Sequence, residues 1–220
     1  MTTLPIDLII FDLDGTLLDS RSDIAAAVNH ARASMGRAPL PLEAVGRYVG
    51  DGLQQLLERA FETREPDAIR EATGHFRAHY GVHFLDATRP YPGVLETLER
   101  LRGTAMAVVT NKPADFARQM LAAMKIDGCF RAVVGDGDTR EKKPHPAPFL
   151  RALELSGVPA GRALVVGDGP QDLAGGRAAG IRTCAVTYGF TSREILSNSK
   201  PDHIIDDVRD LIPLIESSGH

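Results

Sequence analysis

Two aspartates that follow the first apolar run of the chain are the strongest candidates for chemistry. Asp12 and Asp14 belong to the motif DxDGT at 12–16, directly after the run IDLIIFD at 6–12. In an extended segment residues i and i+2 point the same way, so both carboxylates can serve one site. An ionised carboxylate can attack phosphorus without a general base. The other can protonate the leaving alcohol and then activate the water that cleaves the covalent intermediate.

A second polar cluster begins where another apolar run ends. The cluster Thr110-Asn111-Lys112 stands at the end of the run AMAVVT at 105–110 and precedes a predicted helix. A hydroxyl beside a helix start can offer side-chain and backbone donors to a phosphoryl oxygen. Hydroxyls at such positions also commonly cap the next helix. Taken alone, this cluster leaves phosphate binding and helix capping both open.

Two adjacent lysines lie in the proline-containing loop KKPHP at 142–146. A stiff loop can hold an ammonium between a nucleophilic carboxylate and the phosphate that it attacks. At about 4 Å and an effective dielectric constant of about 20, a carboxylate and a phosphate dianion repel by roughly 8 kcal/mol. One lysine and a divalent metal can offset this repulsion. We expect Lys143 to have this role and Lys142 to be solvated.

The stretch VVGDG occurs twice, at 133–137 and at 165–169, and the residues after the two copies differ. In the second copy Asp168 is followed four residues later by Asp172, whereas an arginine stands four residues after Asp136. Two carboxylates at a strand end suit a hard cation such as Mg²⁺. The sequence therefore predicts a Mg²⁺ site at the second copy and a loop role for Asp136.

The elements that position these clusters alternate between strand and helix. Short apolar, β-favouring runs are separated by helical patterns, which predicts an α/β fold with a doubly wound parallel sheet. Such sheets bind ligands beyond the carboxyl ends of their strands, and the four polar clusters lie at strand ends. The predicted strands are 6–12, 105–110, 131–136, 163–168, 182–187 and 203–206.

Residues 20–86 break this alternation, because they contain helical patterns and no convincing strand. We predict that they form an inserted helical cap, and that residues 1–19 and 87–220 form the α/β catalytic core. Ser20 resembles a helix N-cap. An apolar stripe at helical spacing from Leu53 to Phe61 favours packing inside the cap over ligand binding.

Three histidines in this segment have a spacing that could bind a transition metal. His75, His79 and His83 fall at i, i+4 and i+8, on one face of a helix. Gly81 is expected to interrupt that helix. We therefore favour a polar surface over a metal site.

Composition restricts the classes of partner. The 220 residues carry a net charge of −4 and no block of basic residues, which argues against nucleic acid or a membrane as the partner. The first residues lack a basic leader, so we expect a cytoplasmic protein. Cys129 and Cys184 are too far apart in sequence for a CxxC motif and suggest no disulfide. We expect a small phosphorylated metabolite as the partner and leave monomer and homodimer open.

Together, the four clusters resemble the haloacid dehalogenase superfamily over essentially the whole chain. The resemblance implies a Rossmann-like core with a mobile helical cap, and Mg²⁺ as cofactor. It makes Asp12 the nucleophile and a metal ligand, Asp14 the acid/base with its carbonyl on the metal, and Asp168 a further ligand. Supporting roles are implied for the remaining motif residues: Thr110, Asn111 and Lys143 hold the phosphate, and Asp172 supports the metal shell.

More narrowly, the chain resembles the phosphoglycolate phosphatase subfamily through stretches such as RYVGDGLQQLLERAF (47–61) and VVTNKPADFA (108–117). That resemblance implies that the cap loop Gly50-Asp51-Gly52 meets the substrate; a tight interhelical turn is the alternative. Gly169 stands where the family usually has Ser or Thr. Gly175-Gly176 replaces the usual alanines, which should weaken that helix by roughly 1 kcal/mol per glycine. Because every catalytic carboxylate is present, we expect activity to survive.

Other activities on the same fold fit less well. A dehalogenase needs neither a second acid nor a metal, and a phosphonate hydrolase would need a cap lysine that residues 20–86 lack. A non-catalytic metal- or phosphate-binding module would tolerate the loss of Asp14, whereas all catalytic positions are filled. A phosphomutase is harder to exclude. Among substrates we expect 2-phosphoglycolate first, then sugar phosphates, including an amino-sugar 6-phosphate, and then pyrophosphate.

Overall fold

A six-stranded parallel sheet forms the centre of the computed structural model, which describes residues 5–216. Its strand order is β5-β4-β1-β6-β7-β8, so the chain winds outward in both directions from β1. A separate antiparallel ribbon pairs β2 with β3. The strands are β1 (Leu8–Phe11), β2 (Leu18–Asp19), β3 (Arg89–Pro90), β4 (Ala105–Pro113), β5 (Ala132–Asp136), β6 (Ala163–Gly167), β7 (Arg182–Val186) and β8 (His203–Ile205).

The register of β1 brings three strand ends together. Leu8 pairs with Ala105 of β4 on one side and with Ala163 of β6 on the other. Because the three strands are parallel and start level, they also end at the same edge of the sheet. The predicted α/β fold with a doubly wound parallel sheet is confirmed.

Helices cover both faces of this sheet, as the alternating pattern predicts. Successive residues of β1 point to opposite faces: Ile9 and Phe11 join one buried cluster, and Leu8 and Ile10 join another. The first face carries α5 (Val94–Arg100), α6 (Ala114–Ala123) and α10 (Leu211–Glu216); the second carries α7 (Ala147–Ser156), α8 (Pro170–Ala178) and α9 (Arg193–Asn198).

Between β2 and β3 the chain forms a helical layer with its own apolar core. Leu57, Ala60 and Phe61 are buried there, so the apolar stripe packs within this layer as predicted. The expectation that Gly81 interrupts a helix is wrong, because the fourth helix continues to His83. The four helices are α1 (Arg21–Ser34), α2 (Leu42–Gly46), α3 (Leu53–Phe61) and α4 (Pro66–His83).

A buried carboxylate joins the helical layer to the returning chain. Asp23, in the first turn of α1, is 4% exposed. It accepts hydrogen bonds from the backbone N–H groups of Ala87 and Thr88 and from the Thr88 hydroxyl, at 2.7 to 3.1 Å. These contacts and the β2–β3 ribbon hold together the two chain segments that connect the helical layer to the sheet.

The two glycines on α8 are explained by close packing. A Cβ on Gly175 would lie 2.5 Å from a ring carbon of Phe149, and one on Gly176 would lie 2.9 Å from a methyl group of Val165. Both distances are too short for a real contact. Glycine at both positions therefore lets α8 pack closely against its neighbours. The expected loss of stability applies to an isolated helix and does not include this packing.

Two further expectations can be compared with the structure. Within residues 5–216, no helix combines the length and the apolarity that a membrane crossing requires. Cys129 and Cys184 are free cysteines.

Candidate active site

The predicted site residues meet at the carboxyl edge of the sheet. Asp12 follows β1, Thr110 and Asn111 lie near the end of β4, and Asp168 follows β6. Lys143 comes from the loop between β5 and α7. All five side chains are buried, although they come from four separate stretches of sequence. Strand register explains this convergence, because parallel neighbours deliver the ends of their strands to one place.

Lys143 is the central cation of the site. Its Nζ donates to Asp12 Oδ1 at 2.6 Å, to Asp172 Oδ1 at 2.7 Å and to the Val109 carbonyl oxygen at 2.8 Å. Its side chain is 1% exposed. Burial alone would lower its pKa, but the two carboxylates raise it, so the ammonium stays charged. Lys143 therefore holds the oxygens of Asp12 and Asp172 in a fixed relation.

Three buried carboxylates form a cluster that can hold a divalent metal. One oxygen each from Asp12, Asp168 and Asp172 lies within 4.8 Å of the others. Burial raises the pKa of Asp12 to about 7 and that of Asp168 well above its usual value, with the neighbouring carboxylates adding to both shifts. Three anions face one buried cation, Lys143. A divalent cation bound by these oxygens offsets that excess and favours the ionised forms, so the donor set fits such an ion.

The cradle around Asp168 depends on glycine. The Phe190 N–H donates to Asp168 Oδ2 at 2.6 Å. A Cβ on Gly15 or on Gly189 would come within 2.4 Å of the Asp168 side chain. Gly15 also has a φ of +91°, a region that other residues rarely adopt. The glycine of the first motif is therefore needed for both its conformation and its size.

Asp14 lies beside a lysine for which the sequence predicted no role. Lys112 Nζ is 3.0 Å from both carboxylate oxygens of Asp14 and 2.7 Å from the Tyr80 hydroxyl. Ser20 donates its hydroxyl proton to Asp14, so the expected N-cap bond of Ser20 is absent. The one sequence feature that pointed to a role for Lys112 in the site was its position next to Thr110 and Asn111 at a strand end.

Thr110 and Asn111 support the site through the backbone. The Thr110 Oγ1 accepts the Lys112 N–H at 3.2 Å within the end of β4, and Thr110 does not cap α6, which begins at Ala114. The Asn111 amide nitrogen donates to the carbonyl oxygens of Gly50 and Lys143, and its Oδ1 accepts the Lys143 N–H, each at 2.9 Å. Asn111 thus joins the Lys143 loop to the helical layer. A direct bond from Thr110 or Asn111 to phosphate stays a prediction.

A small cavity of about 50 Å³ lies between the carboxylates and the helical layer. Asp12, Asp14 and Thr110 line its polar side. From the predicted loop, Gly50 and Gly52 reach the cavity, whereas Asp51 lines a neighbouring groove and forms an ion pair with Arg59. The structure thus brings the two glycines of the loop to the site, but not the carboxylate between them.

The unusual glycine after Asp168 has a steric explanation. A Cβ on Gly169 would lie 2.1 Å from the amide nitrogen of Gln171, and one on Gly50 would lie 2.7 Å from it. The Gln171 side chain fills the space beside Gly169 and reaches the loop of the helical layer. The absence of a hydroxyl at Gly169 is visible in the sequence, but the position of the Gln171 side chain is not.

Lys142 and the histidines of the helical layer contact other side chains. Lys142 is half-buried, with Nζ 3.2 Å from Gln55 and 3.7 Å from Asp136, so the expectation of a freely solvated side chain is wrong. His79 stacks against His83 and against His30 of α1, at centroid distances of 4.4 and 4.5 Å.

Within residues 5–216, the cluster of Asp12, Asp168 and Asp172 is the one group of three or more acidic, histidine or cysteine side chains placed to hold a metal. The histidine stack is not such a group. Asp136, in the first VVGDG copy, does not belong to this cluster.

Comparison with known families gives one consistent result. The family profile of haloacid dehalogenase-like hydrolases matches residues 9–186. A phosphoglycolate phosphatase of Pseudomonas putida is 40% identical over 219 residues, covering 96% of this chain and 80% of that protein. One from Aliivibrio fischeri is 37% identical over 221 residues, covering 96% of each.

Solved structures agree in fold. A predicted phosphoglycolate phosphatase from Haemophilus somnus superposes with a TM-score of 0.90 at 34% identity, covering 95% of this chain and 97% of that one. A predicted phosphatase from Clostridium acetobutylicum gives a TM-score of 0.88 at 25% identity, covering 97% and 99%. The match therefore includes the helical layer as well as the sheet.

Proposed function

Because this chain belongs to the haloacid dehalogenase-like hydrolase family, we propose that it hydrolyses 2-phosphoglycolate with Mg²⁺ through an aspartyl-phosphate on Asp12. The family and the phosphatase relatives make it a phosphoric monoester hydrolase that acts on small phosphorylated substrates. The proposal adds the metal, the covalent step and the substrate to that activity.

The observation that supports the covalent step most directly is the Lys143 contact. Lys143 Nζ lies 2.6 Å from Asp12 Oδ1, and Asp12 lines the cavity together with Asp14 and Thr110. An ammonium so placed can also contact the phosphoryl group and reduce its repulsion with the attacking carboxylate. Attack by Asp12 forms the O–P bond as the bond to the leaving oxygen breaks. We assign phosphate contacts to Thr110, Asn111 and Lys143.

Mg²⁺ would be held by Asp12, Asp168 and the Asp14 carbonyl, with Asp172 supporting the shell. When bound, the ion supplies charge neutralisation for the phosphate oxygens. The three buried carboxylates with one compensating lysine support this assignment, since they are hard oxygen donors of the kind that Mg²⁺ prefers.

Asp14 is proposed as the acid and base. It protonates the leaving oxygen and then removes a proton from the water that attacks phosphorus and releases Asp12. Lys112 and Ser20 both donate hydrogen bonds to its carboxylate, and its side chain is 11% exposed. A group must be held in place if it is to meet the leaving oxygen and later the water.

The helical layer, residues 20–86, is proposed as a cap that closes over the substrate, with residues 1–19 and 87–220 as the catalytic core. The cavity below it, of about 50 Å³, separates this layer from the carboxylates Asp12 and Asp14. The names of the relatives favour 2-phosphoglycolate. We propose that the loop Gly50-Asp51-Gly52 contacts the substrate. Gly50 and Gly52 border the cavity, whereas Asp51 does not line it.

A panel assay tests the substrate. We expect kcat/KM for 2-phosphoglycolate to exceed the values for glucosamine 6-phosphate, other sugar phosphates and pyrophosphate by about 100-fold or more. Equal values across the panel would contradict the named substrate. Phosphoryl transfer to a second sugar hydroxyl, with no release to water, would instead identify a phosphomutase. Location in the cytoplasm and the choice between monomer and homodimer stay predictions.

A further inference from the structure

The cavity next to Asp12 and Asp14 is mostly apolar and contains a single positive charge. Among the residues of 5–216 that line it, only Lys112 is cationic. Its side chain is 4% exposed. Away from the polar side, which Asp12, Asp14 and Thr110 line, the wall is mainly hydrophobic: Ile24, Val49, Leu53, Leu56, Phe76 and Phe116. A buried cation in such a wall recognises an anionic group far more strongly than it would in water.

The contacts of Lys112 leave one of its partners exchangeable. Its ammonium contacts both oxygens of Asp14 at 3.0 Å and donates to the Tyr80 hydroxyl at 2.7 Å. The tyrosine oxygen is an uncharged acceptor, whereas a carboxylate forms stronger, charge-assisted hydrogen bonds with an ammonium. A substrate carboxylate can therefore take the place of Tyr80 on Lys112 without displacing Asp14.

Tyr80 also has a proton to give. Its hydroxyl donates to the Met120 sulfur at 3.9 Å, and a thioether is a weak acceptor. Burial raises the pKa of Tyr80 to about 12, so the phenol keeps its proton. Lys112 and Tyr80 thus present an ammonium and a phenol to the same small volume, a combination suited to a carboxylate.

The position of this pair matches the length of the proposed substrate. The leaving oxygen of the ester must approach Asp14, whose carboxylate is 3.0 Å from Lys112 Nζ. In 2-phosphoglycolate a carboxylate oxygen lies about 3 Å from that ester oxygen, across two carbon atoms. An ester oxygen at Asp14 therefore puts the carboxylate within reach of Lys112 and Tyr80.

We propose that Lys112, with Tyr80, is the subsite that binds the carboxylate of the substrate and selects phosphorylated 2-hydroxy acids over neutral phosphate esters. The inference rests on the proposed function, because it explains how that site would choose 2-phosphoglycolate. It gives Lys112 a role in specificity in addition to the positioning of Asp14.

The test compares 2-phosphoglycolate with 2-hydroxyethyl phosphate, in which a neutral CH₂OH group replaces the carboxylate. The selectivity is the ratio of the two kcat/KM values, and any general loss through Asp14 cancels in it. Lys112→Met should lower the ratio by at least about 10-fold, and Tyr80→Phe by about 5-fold. Lys142→Met, which removes a neighbouring charge held by Gln55 and Asp136, should leave the ratio unchanged.

The outcomes separate the two proposals. A wild-type preference for 2-phosphoglycolate that Lys112→Met abolishes and Lys142→Met retains supports the subsite. If both esters lose activity equally in Lys112→Met, Lys112 only positions Asp14, and the inference fails while the substrate stands. A wild-type enzyme with no preference overturns the proposed substrate and the subsite together. Should Lys112→Met fail to fold, an unchanged ratio in Tyr80→Phe overturns the subsite.

Discussion

At the scale of single residues, the site depends on one buried lysine between two carboxylates. Lys143 contacts Asp12 and Asp172 through its single ammonium, and each of the three side chains is at most 8% exposed. Removing the ammonium leaves two close anions without a shared partner. The same change also removes the cation proposed to contact the phosphoryl group. Substitution of Lys143 is thus expected to lower activity far more than substitution of Lys142.

Lys143→Met should lower kcat/KM by at least about 100-fold, which is the typical cost of removing one preorganised donor to a developing anion. Lys142→Met is the matched control, since it removes the same charge from the adjacent, half-buried position. Circular dichroism of both variants establishes whether they are folded. Retention of normal phosphatase activity by folded Lys143→Met would contradict the role of this lysine.

The residue types and their order along the chain predicted most of the site. Asp12, Asp14, Asp168 and Asp172 belong to motifs that follow β1 and β6, whose parallel register brings them to one edge, and Lys143 comes from the loop after β5. The role of Lys112 could not be predicted, because its partner Tyr80 lies in a distant helix and no local pattern links the two. The space filled by Gln171 is hidden for the same reason. Contacts between elements are set by packing, which one sequence does not display.

At the scale of elements, α8 shows how tertiary packing overrides helix propensity. Its glycines lower the intrinsic stability of the helix, yet Gly175 allows α8 to approach Phe149 and the Pro144 carbonyl oxygen. For Gly175→Ala, helix propensity therefore predicts a higher free energy of unfolding, whereas packing predicts a lower one. The strand-to-helix alternation was readable from the sequence, whereas this contact was not.

Gly175→Ala should destabilise the protein by about 1–3 kcal/mol, because the added methyl overpacks a buried contact. Gly74→Ala, in the middle of α4 with no atom near the added methyl, should stabilise it by about 0.5–1 kcal/mol. Both values can be measured from urea unfolding midpoints at constant m. Stabilisation by Gly175→Ala would show that propensity, and not packing, decides at this position.

At the scale of the whole molecule, the carboxyl edge of the sheet and the helical layer enclose a site with excess negative charge. Asp12, Asp168 and Asp172 are all buried and face a single lysine. In the absence of a cation, this charge opposes folding. The fold is thus expected to gain stability when a divalent cation binds the native state.

Mg²⁺ should raise the melting temperature of the wild-type protein, and EDTA should abolish its activity. Asp168→Asn should remove most of the Mg²⁺-dependent shift, because it removes one of the three clustered carboxylates. Asp136→Asn, at the corresponding place in the first VVGDG copy, should keep the wild-type response. Activity that persists without any divalent ion, or an equal shift in Asp168→Asn, would contradict the assignment of the metal site.

The covalent step on Asp12 is the central claim, and rapid acid quenching during turnover tests it most directly. With Mg²⁺ and 2-phosphoglycolate radiolabelled at phosphorus, we expect a hydroxylamine-sensitive label on the peptide that contains Asp12. Asp12→Asn should show neither the label nor phosphate release, although it removes only one charge from the site. Normal phosphate release by Asp12→Asn would contradict a covalent step on Asp12.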